Sequence, residues 1–164
     1  MQVLATDPQE SHFGLLEGAQ FADAFSVDTA ETDLDAMEAA RRIMARSPRW
    51  VTFLLMLRNL AVAPFGLKGA PPERTSPPGR IGFFPIVSQS PERVVLGFDD
   101  RHLDFRVIVD VLQRPAGQRV TTSTVVRTHN TFGRVYLAAV LPFHRRIVTA
   151  MLRQIARPDG ARNG

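Results

Sequence analysis

The sequence predicts an α+β fold: an antiparallel curved sheet wrapped around one long C-terminal helix, with two short helices after the first strand. Three observations carry this reading. Stretches rich in β-branched residues between positions 81 and 128 are joined by short polar turns, which makes an antiparallel meander. From 131 to about 157, apolar side chains recur at Phe132, Val135, Ala139, Phe143, Ile147 and Met151, the spacing of a helix laid on a sheet. Between an early strand and the meander, two helical stretches each follow a capping residue. The 164 residues are the size of one domain, long enough to bury about two thirds of the unfolded surface.

Residues 1–11 are polar and 158–164 lack periodicity, so both are expected to be disordered tails of a single domain spanning 1–164. Within 13–27, Phe21, Phe25 and Val27 suggest a first strand beginning near Ala19. Asp33 offers a cap to a helix through Met37, Ala40 and Met44, with Asp35 and Glu38 where the helix dipole favours negative charge. Ser47 and Pro48 then start a second helix over 50–62. Its Trp50, Phe53, Leu54, Leu57 and Leu60 leave little polar circumference, so it is either enclosed or shows an apolar face to a ligand, membrane or partner. Prolines at 71, 72, 77 and 78 make 69–79 an exposed loop, not a domain boundary, because neither flank holds a core alone. Strands are expected at 81–88, 94–99, 103–112 and 120–128, then the last helix, capped by Asn130 or Thr131 and kinked before Pro142.

The third and fourth meander strands permit a register argument. Leu103, Phe105, Val107, Val109 and Val111 alternate with His102, Asp104, Arg106 and Asp110, so one face is buried. If Val111 pairs with Val120, then Val109 faces Thr122, Val107 faces Thr124, Phe105 faces Val126 and Leu103 faces Thr128, with Asp104 opposite Arg127 on the other face. A slip of one residue would bury Arg127. This register puts threonines where aliphatic side chains would pack a solid core. Their hydroxyls need partners, either within the protein or in a bound molecule. His102, Asp104, Arg106, Arg127 and His129 gather on the opposite face, where cross-strand pairs on a solvated surface, Asp104 with Arg127 among them, are expected rather than catalysis.

Composition narrows the function. The formal charge of +4 is carried by scattered arginines, since Lys68 is the only lysine, and no recognition module accompanies them, so nucleic acid is not an expected partner. Cysteine is absent, which excludes disulfides, thiol catalysis and cysteine-bound metals. No signal-peptide pattern opens the chain and its longest apolar run, 51–57, is short of a membrane span, so a soluble cytoplasmic protein is expected. No phosphate loop, nucleophile elbow or metal-ligand spacing occurs, and no cofactor or metal is expected.

The order of a strand, two short helices, a meander and a long helix resembles the helix-grip fold of the START-like and Bet v 1-like superfamily. More locally, Ala22-Asp23-Ala24-Phe25, Arg58-Asn59, Pro64-Phe65-Gly66-Leu67, the run from Asp99 to Arg106, Arg127-Thr128-His129-Asn130 and Pro142-Phe143-His144 resemble the pattern of a bacterial domain family of unknown function. That family occurs as short single-domain proteins and behind nucleotide-binding dehydrogenase-like domains. The superfamily resemblance implies a cavity between sheet and helix that holds an apolar molecule, sometimes with a cyclase or dehydratase reaction inside it. No catalytic residue is implied.

A binding module is therefore the leading expectation, with a lipid-like or aromatic small molecule as partner and Trp50, Phe53, Phe83, Phe105, Val107, Thr122, Thr124, Ala139 and Phe143 as pocket candidates. A cyclase or dehydratase would need a titratable group projecting inward, and the sequence offers no obvious one. His144 is read as lying on the helix away from the sheet histidines. The third reading is a domain that docks a protein or membrane through the apolar 50–60 helix, and a homodimer is compatible with all three.

Overall fold

The computed structural model describes residues 2–45, 79–82 and 84–155. In chain order these form β1 (Leu4–Thr6), α1 (Glu10–Phe13), β2 (Phe21–Thr29), α2 (Ala36–Ala45), β3 (Arg80–Ile81), β4 (Phe84–Gln89), β5 (Arg93–Asp99), β6 (Leu103–Arg114), β7 (Gly117–Thr128) and α3 (Thr131–Leu152). The strands make one seven-stranded antiparallel sheet in the order β1-β2-β7-β6-β5-β4-β3, with α2 and α3 on one face. The helix expected over 50–62, with Trp50 and Phe53, residues 69–78 of the expected loop, Phe83 and residues 158–164 lie outside the described residues.

Register follows the alternation. Val111 pairs Val120, Val109 pairs Thr122, Val107 pairs Thr124, Phe105 pairs Val126, Leu103 pairs Thr128 and Asp104 pairs Arg127. The expected strand at 81–88 is instead two, because Gly82 takes φ +59°, a left-handed conformation that side chains disfavour, and turns β3 back on β4. The helix at 36–45 is capped by Asp35 rather than Asp33: its Oδ1 accepts from the Glu38 amide at 2.7 Å. Asn130 caps α3, accepting from the Gly133 amide at 2.9 Å. That helix runs through Pro142 as a single element, and by length and composition alone it could cross a bilayer, but here one face lies on β2 and β7.

The solid core occupies one end of this sandwich. Ala36, Ala39, Ala40 and Ile43 of α2 meet Val94 and Leu96 of β5, Val109 and Val111 of β6, Val120 of β7, and Val148 and Leu152 of α3. Small alanines let α2 come close to the sheet, and each valine or leucine buried here contributes about 1.5–3 kcal/mol. Gln118 ties the β2–α2 connection to that core, its side-chain oxygen accepting from Leu34 N at 3.0 Å and its amide donating to Leu34 O at 2.9 Å.

The other face of the sheet is not the open surface expected. Leu16, with Leu15 and Ala19, covers Val95, Ile108 and Val125 there, and the nominal tail contributes β1, which pairs with β2, and α1. Short apolar patches within a polar N-terminal stretch suffice to cap a few valines. His12 of α1 is completely buried, with Nε2 2.9 Å from Asp110 Oδ2 and 3.1 Å from Arg93 Nη2. Asp104 is likewise buried, and its partner is His129, at 2.8 Å, rather than Arg127. Arg127 swings instead to the N-terminal segment, donating to Glu17 O at 3.2 Å.

Candidate functional site

Next to the α2 core, where Ile43 and Met44 at the end of α2 still form part of the wall, sheet and helix separate around a cavity of about 220 Å³. Its position follows from side-chain size along the strands. Where Val109, Val111 and Val120 face α2 the space is filled; one and two pairs further on, Thr122 and Thr124 are too small to reach α3. Phe105, Val107 and Val126 form the rest of that wall, and Phe84 and Phe98 close one side. Phe105 packs edge-on against both, with ring centroids 4.4 Å from Phe98 and 5.4 Å from Phe84, which holds an aromatic wall in place.

The helix side is one residue out of phase with the apolar repeat read from the sequence. Tyr136, Leu137, Val140, Leu141, His144 and Ile147 line the cavity, whereas Val135 is 63% exposed and Phe143 48% exposed. Ala139 is exposed too. Ala139 and Phe143 are thus corrected from pocket wall to outer surface. The reason is phase: Val135, Ala139 and Phe143 each stand one residue, about 100° of helix turn, before Tyr136, Val140 and His144, which face the cavity. The stripe that starts outward at Phe132 reaches the sheet only at Ile147 and Met151. Phe105, Val107, Thr122 and Thr124 do line the cavity, while Trp50, Phe53 and Phe83 fall outside the described residues.

An inward titratable pair is present that the sequence reading did not identify. His144 lies on the cavity wall with Nε2 3.2 Å from both Oδ1 and Oδ2 of Asp23, and Phe21 stands edge-on to its ring at 5.9 Å. The signal was in β2: Phe21, Asp23, Phe25 and Val27 alternate, so Asp23 must share the face of the apolar three. Because an ionised carboxylate only accepts, the contact places the proton of a neutral imidazole on Nε2 and leaves Nδ1 with the lone pair.

The threonine hydroxyls divide between the two fates open to them. Thr128 donates to Gln20 Oε1 at 3.0 Å and is satisfied within the protein. Thr122, 4% exposed, has no hydrogen-bond partner for Oγ1 among the described residues. Also among the described residues, no group of three His, Asp or Glu side chains gathers as metal ligands.

Fold and site together define a helix-grip α+β protein with an apolar chamber between its sheet and its last helix. The chain belongs to the family described as a protein of unknown function (DUF2867), which matches residues 15–151. No curated protein matches it. Among solved structures, it is similar to the di-domain ARO/CYC BexL of the BE-7585A biosynthetic pathway at 12% identity and a TM-score of 0.41, over 90% of this chain and 54% of that one. This chain therefore spans about half of the two-domain protein. Similarity also extends to a Rhodobacter sphaeroides protein at 14% identity, TM-score 0.37, over 92% and 95% of the two chains. A third is CalU16 from Micromonospora echinospora at 9% identity, TM-score 0.35, over 84% and 78%.

Proposed function

We propose that this protein binds one small, mainly apolar molecule, aromatic or lipid-like, in the chamber between β6, β7 and α3. The observation that carries the reading is the chamber itself: about 220 Å³ walled by Phe84, Phe98, Phe105, Val107, Leu137 and Val140, in a molecule whose other end is fully packed. Side chains large enough to fill such a space are common in sheets, so its persistence favours an occupant. The few polar groups on the wall, Thr122, Thr124, Tyr136 and His144, orient that occupant by one polar end.

Two measurements test this. Native mass spectrometry of the purified protein is expected to reveal a retained small molecule, and 1-anilinonaphthalene-8-sulfonate is expected to gain fluorescence on binding stoichiometrically. Replacing Val107 by Trp fills the chamber from the sheet side and is expected to abolish dye binding. Dye binding at full strength in that variant would place the apolar site elsewhere, on the outer stripe of α3 or the 50–60 segment.

A further inference from the structure

We propose that His144 and Asp23 are a proton-transfer pair acting on an enolisable carbonyl carried by the chamber's ligand, so that the protein is an enzyme of carbon-acid chemistry. This rests on the ligand reading above. Two independent observations converge on it. The first is the orientation of the imidazole: Asp23 engages Nε2 through both carboxylate oxygens at 3.2 Å, so the basic Nδ1 is the nitrogen left for a bound molecule. The second is Thr122, whose buried Oγ1 finds no partner among the described residues although it lines the same chamber. A hydroxyl in that state is costly unless a ligand oxygen receives its proton.

His129 with Asp104 is a second His–carboxylate pair at a shorter distance, 2.8 Å, but it stands on the opposite face of the sheet and borders no chamber wall. The His12–Asp110 pair borders none either, so among the described residues only the His144 pair joins a base to this apolar enclosure. There, a neutral carbonyl compound is desolvated beside it and the developing charge is not dispersed into water.

The step balances without a co-reactant. Nδ1 takes a proton from the carbon next to the carbonyl, the C–H electron pair becomes the C=C bond of an enolate, and the carbonyl π pair moves to oxygen, where Thr122 donates. The imidazolium so formed is held against the Asp23 carboxylate. Return of the proton from Nδ1 to the same carbon, or to a conjugated one, regenerates the base and completes exchange or isomerisation.

The probe is 2-tetralone, an aromatic bicyclic ketone with acidic hydrogens next to its carbonyl, incubated with the protein in D2O and followed by proton NMR. Catalysed loss of those signals is expected in the wild type. His144→Ala is expected to lower the rate by about 10² or more, and added imidazole to restore part of it, because the deleted ring leaves space for the free base. A merely structural His144 would show no such rescue. His129→Gln, altering only the outer pair, is expected to exchange at the wild-type rate. If His144→Ala does not fold, Asp23→Asn keeps the carboxyl shape while removing its charge, and the same loss is expected. Displacement of the fluorescent dye by 2-tetralone without any enhanced exchange, or equal rates in His144→Ala and wild type, overturns the proton-transfer role and leaves the binding reading standing. Failure of 2-tetralone to displace bound dye overturns the ligand class, and failure of the dye to bind overturns the chamber as a binding site.

Discussion

Individual polar side chains divide this molecule into parts that the protein satisfies for itself and parts that it does not. Gln118, 2% exposed, satisfies both backbone groups of Leu34, so Gln118→Leu keeps the volume and strands a donor and an acceptor. About 1–3 kcal/mol is expected for each stranded group, read as a lower denaturant midpoint at unchanged slope. An unchanged midpoint would mean that the connection before α2 rearranges to find water. Thr124 is the opposite case, a chamber residue directly across from Val107 of the neighbouring strand. Thr124→Val keeps the shape and removes the hydroxyl, and the ligand-free protein is expected to be as stable as wild type or slightly more so while holding polar-headed ligands less tightly. Clear destabilisation of the ligand-free variant would make Thr124 a core residue instead. These assignments were legible to different depths. The register that puts Thr122 and Thr124 on the helix face follows from alternation alone, but whether a given hydroxyl has a partner depends on Gln20 reaching Thr128 from 108 residues away, which no local pattern carries.

Elements show where periodic reasoning holds and where it drifts. Strands repeat every two residues, so β6 and β7 align residue for residue with their alternation; a helix repeats every 3.6, and a stripe one residue out of phase misplaces Ala139 and Phe143 while finding Ile147 and Met151. A phase taken from Tyr136, Val140, His144 and Ile147 fits the observed face, and its polar members are why it escapes a count of apolar residues. The start of α3 is fixed more tightly than its cap alone requires. A Cβ at Gly133 would stand 2.1 Å from the His102 carbonyl oxygen, backbone against backbone. Gly133→Ala, a favourable change in an isolated helix by about 1 kcal/mol, is therefore expected to destabilise this protein and to loosen the chamber's dye affinity by tilting the helix entry. A stabilised Gly133→Ala variant would refute that close approach. The N-terminal cover adds a dependence on pH. Burial, with the positive charge of Arg93 adding to it and Asp110 opposing, holds the pKa of His12 below the ordinary imidazole value. The unfolded chain then binds a proton near pH 6.5 where the folded one does not, so stability is fully present above about pH 6.5 and declines as pH falls through the folded value. His12→Gln is expected to shallow that decline in urea midpoints measured on the acid side of neutrality, and identical slopes would show that His12 titrates freely.

Taken whole, the molecule is a sandwich packed at one end and hollow at the other. At the filled end, alanines of α2 and the valines of β5, β6 and β7 pack together; at the other, Phe84, Phe98 and Phe105 wall the space on one side and the small Thr122 and Thr124 leave it unfilled beneath α3. That division was half legible. Threonine on an inward face announced a break in packing, whereas the helix residues opposite and the Asp23 that crosses to His144 come from segments far apart in sequence and meet only in the fold. The cover of the outer face was not legible, because Leu15, Leu16 and Ala19 form no periodic element and matter only through the valines beneath them. If the hollow exists for a ligand rather than as a packing defect, stability and binding are opposed there. Val140 lines the chamber from the middle of α3, and enlarging it to Phe adds apolar volume where no atom of the described residues competes. Val140→Phe is expected to raise the unfolding midpoint by the equivalent of about 0.5–2 kcal/mol, the usual gain on filling a cavity, while weakening dye binding and releasing any co-purified molecule. A defect would give the gain in stability with no loss of a ligand. An unstable Val140→Phe variant that still binds dye would mean that the space is already closed at α3, and the chamber would have to be sought on the Phe84 and Phe98 side of the sheet.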